Sequence, residues 1–349
     1  MTVKITKPAL NLREELADLR KPSGIAGEAL LRADSVQEQR DLIGAGRKNL
    51  LINGGFDVWQ RGTSSITSNG YGSADRWKHY TAGVGGATFA QNSDGDMHIT
   101  ITGSGSGLAR VGQLIEFPEK YHGKTVTFSA MVKSNSDQAR LLCDTNTQWY
   151  TATDRHSGSG QWEKLQMTFT LEESGLTFLR FTVGLDGYQS ANVSLTSADY
   201  ITIKEAQLEL GSVATEFEHR SYGEELALCQ RYYQHNFPTG YYPANGQNIS
   251  GTEAGVNGWV AFSATSVRSP YVYFPVTMRA EPTVTPYSAD SSDSDGKWAR
   301  YTGSAWVDVS SQSVDSTSSF FAVREIGGSG MTAGYSYLMR GMWAADAEL

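Results

Sequence analysis

The sequence is poor in the residues that mark several classes of protein. It holds two cysteines in 349 residues, Cys143 and Cys229, and their separation excludes a disulfide framework. Acidic residues outnumber basic ones by 37 to 29, for a net charge of −8, whereas nucleic-acid binding needs a clustered basic face. No apolar run is long enough to span a bilayer, and Met1–Leu10 lacks the apolar core of a signal peptide. We therefore expect no nucleic-acid partner, no membrane insertion and synthesis in a cytoplasm.

Proline is also scarce, at 9 residues, whereas glycine reaches 37. Glycine together with abundant serine and threonine is typical of turns between short strands. The length suits two to three domains, each able to bury its own core. Aromatic residues make up 11% of the chain, and tyrosine alone counts 17. Amphipathic rings of this kind are favoured where a surface stacks on a partner, so the composition indicates a mainly β chain with aromatic surfaces.

The segment Ile203–Tyr233 changes from a strand pattern to a helix pattern, and it separates two regions of predicted strands. It begins with strand-like alternation, which Gly211 ends. Ser221 and Glu224 then have the spacing of a capping box, in which a hydroxyl and a carboxylate bind the free amides of a new helix. Three apolar residues follow at helical spacing: Leu226, Cys229 and Tyr233. The pattern predicts a short linker helix over residues 221–235 between two β domains.

The N-terminal segment Met1–Gly46 has no aromatic residue and carries most of the helical signal. Leu12, Leu16 and Leu19 recur at i, i+4 and i+7 on one face of a predicted helix. Such helices are too short to be stable alone in water. One interpretation is a docking and oligomerisation arm whose leucines pack against other copies or another protein; the other is a flexible leader.

Residues 47–220 alternate apolar and polar residues in short stretches separated by Gly, Asn, Asp and Ser. Leu50–Ile52 is predicted to be the first strand, followed by a turn at Asn53–Gly55. Further strands are predicted at His98–Thr102, Ala109–Phe117, Thr125–Lys133, Leu165–Leu171, Leu176–Leu185, Asn192–Leu195 and Tyr200–Leu210. Eight or nine short strands without a helix predict a two-sheet jelly-roll β-sandwich.

Residues 236–349 have the same β character and are predicted to form a second, C-terminal β-sandwich. Strands are expected at Gly258–Phe262, Tyr271–Val276, Pro282–Tyr287, Lys297–Tyr301, Ser304–Val309, Ser319–Glu325 and Tyr335–Ala344. In Tyr271–Val276 the residues Val272 and Phe274 share the predicted core face. Tyr271 and Tyr273 share the other face, which suits either a glycan-binding surface or a contact between subunits.

Three stretches of the sequence are similar to the central domain of many bacteriophage tail-fibre proteins. They are NLLINGGFDVWQRG, ADRW and QLELGSVATEFEHRSYGEELALCQRYY. The central domain of that family is itself similar to carbohydrate-binding modules of jelly-roll type. The resemblance implies a homotrimeric virion protein that binds host cell-surface polysaccharide, with its arm attached to other virion proteins of the tail or of the capsid and its decoration. Residues 236–349 resemble the tip domain that follows the jelly roll in such fibres.

The same resemblance implies a structural calcium ion that joins the first strand of the jelly roll to the last. The family's acidic positions fall on Asp57 and Glu205 of this sequence. Calcium needs several hard oxygen ligands, including backbone carbonyls, and the sequence supplies these two carboxylates. The alternative is that both acids cap turns or face solvent. No other cofactor is expected.

Glycan binding in such modules requires exposed aromatic rings. Trp149 and Tyr150 are adjacent in a segment rich in Thr, Asn and Gln, and neighbouring residues of an extended chain point in opposite directions. One of the two is therefore expected to face outward as a stacking platform. Trp59, Trp77 and Trp162 are interpreted as core residues.

The sequence has no recognisable catalytic constellation. Its carboxylates are interpreted as lying in loops and helix caps, with none inside an apolar strand, whereas a glycosidase needs two opposed acids and one raised pKa. The six histidines lack metal spacing, and no Gly-x-Ser-x-Gly elbow occurs. We therefore expect a non-catalytic tail fibre; a fibre anchored to the head or capsid and a polysaccharide-depolymerising tailspike remain as alternatives.

Overall fold

Eleven antiparallel strands form two sheets in the first part of the computed structural model. They are β1 (Gly70–Tyr71), β2 (Lys78–Ala82), β3 (Gly86–Gln91), β4 (Met97–Gly103), β5 (Leu108–Leu114), β6 (Thr125–Ser134), β7 (Ala139–Thr145), β8 (Trp149–Arg155), β9 (Trp162–Thr170), β10 (Leu179–Asp186) and β11 (Tyr200–Leu210). One sheet has the order β1-β2-β5-β10-β7-β8, and the other has the order β3-β4-β11-β6-β9. A 3-10 turn covers Pro118–Tyr121.

The structure describes residues 48–64, 66–188, 193–247, 249, 257–288, 296–325 and 328–349. The predicted helical arm Met1–Gly46, including Leu12, Leu16 and Leu19, lies outside these residues. Within them, no helix is long and apolar enough to cross a membrane.

The core of the first sandwich lies between its two sheets and follows the two-residue period of the strands. The inward positions of β10 are all buried and apolar: Leu179, Phe181, Val183 and Leu185. Phe181 meets Phe128 of β6 edge to face, with ring centroids 5.3 Å apart. The prediction of a mainly β, jelly-roll sandwich is confirmed by these sheets.

The predicted first strand at Leu50–Ile52 is wrong, because these residues form no ladder with another strand. Leu51 is fully buried, so the apolar signal there reflects core packing. The side-chain amide of Gln113 binds both backbone groups of Ile52: its Oε1 accepts from the Ile52 N–H at 2.8 Å, and its Nε2 donates to the Ile52 carbonyl at 2.7 Å. A side chain thus replaces the strand partner that the pattern suggested.

The linker region contains the helix α1 (Tyr222–Gln230), and its predicted capping box is confirmed. The Ser221 side chain accepts from the Glu224 backbone, while the Glu224 carboxylate accepts from the Ser221 backbone. The predicted apolar face is wrong at Tyr233, because the helix ends at Gln230 and Tyr233 begins a strand. That strand, β12 (Tyr233–His235), pairs with the chain's last strand, so tertiary pairing overrides the helical spacing.

The C-terminal part contains two further sheets. Its strands are β13 (Asn257–Ser263), β14 (Ser266–Arg268), β15 (Val272–Tyr273), β16 (Thr283–Tyr287), β17 (Lys297–Tyr301), β18 (Trp306–Val314), β19 (Phe320–Glu325), β20 (Ser336–Arg340) and β21 (Met342–Asp346). Three strands have the order β12-β21-β16, and seven have the order β14-β13-β20-β17-β18-β19-β15. The predicted strand Tyr335–Ala344 is divided at Gly341, where a Cβ atom would lie 2.3 Å from the Trp298 ring.

A buried cluster of charges joins the end of the chain to the first sandwich. The Glu348 carboxylate accepts a hydrogen bond from Arg76 and lies 3.3 Å from Nη2 of Arg61. The Arg76 guanidinium lies 3.6 Å from the Tyr232 ring centroid, and that of Arg61 lies 3.7 Å from the Tyr233 ring centroid. This cluster contributes to a contact between the two parts that the sequence pattern did not predict.

Leu51–Leu349 forms one compact unit. The boundaries inferred from the sequence, 47–220, 221–235 and 236–349, stay predictions of domain organisation. β12 already belongs to a sheet of the C-terminal part, although it lies inside the predicted linker.

Candidate functional site

The outer face of the six-stranded sheet carries polar side chains where the core face carries apolar ones. Opposite residues of paired antiparallel strands point to the same side of a sheet. In one row the register places Gly184 of β10 between Arg110 of β5 and Arg140 of β7, while Tyr80 of β2 is opposite Arg110. This row and its neighbours define a surface that we call the polar face. The charged residues that the strand register places on it are Lys78, Arg110, Arg140, Asp144, Arg155, Arg180 and Asp186.

One side of the polar face is held by a bidentate ion pair. The Arg180 Nε donates to Oδ1 of Asp144 at 2.8 Å, and Nη2 of Arg180 donates to Oδ2 of the same carboxylate. The Arg180 guanidinium also lies 4.4 Å from the Tyr80 ring centroid. Burial opposes the charged form of Arg180, but the hydrogen-bonded carboxylate of Asp144 outweighs it and raises the pKa of Arg180. On this side of the polar face, the positive charge of Arg180 is therefore balanced by the negative charge of Asp144.

The other side is built around Arg110, which lies flat across the sheet. Gly184 makes this possible, because a Cβ atom at that position would come within 2.9 Å of the Arg110 Cγ. The guanidinium lies 5.6 Å from the ring centroid of Trp149, and its Nη1 lies 3.4 Å from Oδ2 of Asp186. Trp149 therefore rests above a layer of charged side chains, with 56% of its surface still exposed.

The adjacent aromatics Trp149 and Tyr150 point to opposite sides of β8. Tyr150 stacks on Phe169 of β9, with ring centroids 4.2 Å apart, and so belongs to the core side of the sheet. Trp149 carries the exposed ring. Of the two predicted glycan platforms, the structure brings Trp149 onto the polar face and places Tyr150 on the other side.

The predicted platform residues Tyr271 and Tyr273 lie elsewhere, on the C-terminal part. Both are exposed, and both pack against Phe320, at centroid distances of 4.7 and 5.7 Å. They share one face of the β15 region, while Phe274 on the other face is buried. Their use as a glycan surface or a subunit contact stays a prediction.

The predicted tryptophans of the core divide into two groups. Trp59 and Trp77 are buried in the first sandwich. Trp162 is half-buried, and the ammonium group of Lys204 lies 4.6 Å from its ring centroid. Trp162 is therefore only partly enclosed.

The predicted calcium ligands Asp57 and Glu205 lack further acidic partners. Asp57 is exposed and Glu205 half-buried. Among the residues that the structure describes, no group of three or more His, Cys, Asp or Glu could hold a metal ion. Calcium also takes backbone carbonyl oxygens, and the calcium site at Asp57 and Glu205 stays a prediction.

Glu205 has a separate structural role at an irregularity of β11. Its backbone is left-handed, with φ of 54°, and the pairing of β11 with β6 shifts between Lys204 and Gln207. Together with Lys164, Phe217 and His219, Glu205 lines a cavity of about 320 Å³. The bulge turns Glu205 toward this cavity.

The interpretation that no carboxylate lies inside an apolar strand is wrong. Asp144 lies in β7 and Asp186 in β10, and both are buried. The strand alternation places them on the outer face, where each lies within ion-pair distance of an arginine. Each of these carboxylates thus lies beside an arginine of the polar face.

Sequence reasoning missed Arg110, Arg140 and Arg180 as site residues. A signal was present, because charged residues recur at alternate positions of the otherwise apolar stretches ARLLCDT and LRFTVGLD. Recognising them requires the register between strands that are distant in sequence.

A family model described as a carbohydrate binding domain matches residues 48–190, the region that contains the polar face. No curated protein matches the chain. Among solved structures, one titled "CBM4 structure and function" is 18% identical, with a TM-score of 0.31, and the match covers 46% of this chain and 98% of that one. TmCBM61 in complex with beta-1,4-galactotriose is 12% identical, with a TM-score of 0.30 and coverage of 47% and 99%.

A third similar structure is the enzymatically active domain of tailspike protein 4 of bacteriophage CBA120. It is 12% identical, with a TM-score of 0.31; the match covers 47% of this chain but 21% of that chain. The matched residues 48–190 include ten strands of the observed sandwich and end before β11 (Tyr200–Leu210), the central strand of its five-stranded sheet.

Proposed function

We propose that this protein binds host-surface polysaccharide through the polar face, with Trp149 as the stacking platform. The observation that carries the proposal is the exposed Trp149 ring above Arg110, on the outer face of the sandwich that the carbohydrate-binding family model matches. Aromatic rings stack on the apolar faces of sugars, and charged hydrogen-bonding groups beside them fix orientation. Binding without catalysis is the activity proposed.

Replacing Trp149 by Ala is expected to weaken polysaccharide binding about tenfold, which corresponds to ~1.4 kcal/mol. The melting temperature is expected to change little, because the ring is largely exposed. Binding is measured by affinity electrophoresis against β-glucan, galactan, xylan and polygalacturonate. Reducing ends assayed in the same mixtures are expected not to increase.

The matched control is Tyr335→Ala, which removes an aromatic ring of similar exposure from the C-terminal part. It is expected to bind as the unaltered chain does. If the Trp149→Ala variant binds polysaccharide as tightly as the unaltered chain, Trp149 is not the stacking platform. A large loss of stability in that variant would instead make Trp149 a structural residue.

We further propose that the chain is a homotrimeric phage virion fibre of the tail. Support comes from the resemblance of NLLINGGFDVWQRG and QLELGSVATEFEHRSYGEELALCQRYY to tail-fibre sequences, and from the leucine pattern of Leu12, Leu16 and Leu19. In this proposal the arm attaches the fibre to other virion proteins, and the jelly roll reaches the host glycan. Attachment to the head or capsid is the alternative, and electron microscopy of labelled particles distinguishes the two positions.

Removing residues 1–46 is expected to abolish incorporation into phage particles while leaving a folded protein. The physical reason is that the leucine face lacks aromatic core partners within its own segment and is expected to pack on other proteins. The full-length chain is expected to sediment at three times the protomer mass. A full-length chain that sediments as a single copy, or a truncated chain that still joins particles, would contradict the proposal.

A further inference from the structure

Arg110 is a buried cation whose hydrogen-bonding groups are incompletely satisfied. The residue is 5% exposed. Among the described residues its Nε has no hydrogen-bond partner, and its Nη1 meets Asp186 at 3.4 Å without hydrogen-bond geometry. A buried guanidinium donor left without an acceptor is unfavourable. The position therefore favours a ligand that brings an acceptor, and a negatively charged one most of all.

Other arginines of this protein have their charge balanced by carboxylates, although Nη1 of Arg61 and Nε of Arg76 also have no hydrogen-bond partner among the described residues. Arg61 and Arg76 lie beside the carboxylate of Glu348, and Arg180 binds Asp144 through two nitrogens. In each case burial opposes the charged form, but the neighbouring carboxylates outweigh it and the pKa is raised.

For Arg110, in contrast, burial affects the pKa more than the neighbouring carboxylates do. Burial lowers the pKa of Arg110, and the attraction of Asp186 and Asp144 offsets it only in part. The pKa of neighbouring Arg140 is lowered by burial in the same way. Both guanidiniums are attracted by Asp186. The Arg110 side of the polar face is thus short of negative charge.

The charge of the polar face opposes that of the chain as a whole. Its charged members are one lysine, four arginines and two aspartates, a formal balance of +3, whereas the whole chain carries −8. Trp149 stands 5.6 Å from the Arg110 guanidinium. A sugar ring stacked on Trp149 would therefore have its edge substituents within reach of Arg110.

We propose that the polar face selects acidic polysaccharides, with a sugar carboxylate accepting hydrogen bonds from Arg110 while the sugar ring stacks on Trp149. This inference rests on the proposed glycan-binding function and specifies its ligand class. A planar carboxylate matches the guanidinium fork, which presents parallel N–H donors. A neutral sugar would leave the buried donor with weaker acceptors.

The test is calorimetric binding of the full chain to polygalacturonate, alginate and hyaluronate, each paired with its carboxyl-reduced form of equal length. At least one acidic polymer is expected to bind at least tenfold more tightly than its reduced partner. That preference is expected to shrink as NaCl is raised, because salt screens the charge interaction. This comparison needs no variant and so does not depend on the folding of an altered protein.

Arg110→Gln is expected to remove the preference for the acidic form, and Arg110→Lys to retain part of it. The matched control Lys124→Gln removes an exposed positive charge beside β6 of the other sheet, away from the polar face, and is expected to keep the preference. Equal binding of acidic and reduced forms would overturn the acidic selectivity and leave glycan binding intact. Absence of binding to these polymers and to neutral β-glucan, galactan and xylan would overturn both.

Discussion

Replacing Glu348 by Ala is expected to lower the free energy of unfolding by about 3–5 kcal/mol, because removing one partner of a buried ion pair leaves an uncompensated charge. The Glu348 side chain is 5% exposed, and those of Arg61 and Arg76 are 7% and 1% exposed. Arg76 would keep a hydrogen bond to the Leu114 carbonyl at 3.0 Å but lose its carboxylate. Denaturant unfolding followed by tryptophan fluorescence measures the change.

The control for this variant is Glu281→Ala, which removes an exposed carboxylate from the C-terminal part. Substitutions at such positions usually change stability by less than about 0.5 kcal/mol. If both variants unfold at the same denaturant concentration, the cluster around Glu348 does not stabilise the junction. If the first sandwich and the C-terminal part unfold in separate transitions in Glu348→Ala but not in Glu281→Ala, the charge cluster couples them.

The contribution of neutral His79 to the free energy of unfolding is expected to fall by about 3 kcal/mol when the pH is lowered from 7 to 4. His79 stacks on Phe89, with ring centroids 4.3 Å apart, and its Nε2 contacts the Ser73 hydroxyl. Burial lowers the pKa of His79 to about 4, below the value near 6.5 of an unfolded chain. The unfolded state therefore binds the proton first, so this contribution is present above pH 6.5 and is lost as the pH falls toward 4.

The measurement compares unfolding free energies of the unaltered chain and His79→Phe at both pH values. Phenylalanine keeps the stack on Phe89 but does not titrate, so the difference between the two proteins is expected to change by about 3 kcal/mol across the range. This difference is needed because burial raises the pKa of Asp75 to about 7. A raised carboxyl pKa acts in the opposite direction, since it lowers stability as the pH rises toward 7. A pH-independent difference would contradict the role given to His79.

Features that depend on nearby residues were predictable from the sequence. The capping box of Ser221 and Glu224 is a set of hydrogen bonds within four residues, and the structure shows it as predicted. The alternation of Leu176–Leu185 likewise predicted a strand, and β10 (Leu179–Asp186) overlaps it. The same local reasoning failed at Ile52, where a side chain sixty-one residues away, Gln113, supplies the backbone's partners.

The polar face shows why the candidate site was predicted only in part. The sequence indicated that Trp149 and Tyr150 would point in opposite directions, because neighbouring side chains of a strand alternate. It did not indicate which one would face the core, since that depends on Phe169 from another strand. Asp144 and Arg180 were overlooked because their ion pair joins strands thirty-six residues apart.

Composition and short-range periodicity by themselves determined the mainly β class, the turn-rich jelly-roll pattern and the start of the linker helix, because each depends on backbone preferences and hydrogen bonds among near neighbours. The tertiary structure alone decided that Arg110 lies under Trp149, and that Glu348 lies between Arg61 and Arg76. These contacts depend on strand register and on the removal of charged groups from water, and both arise only when distant parts of the chain pack together.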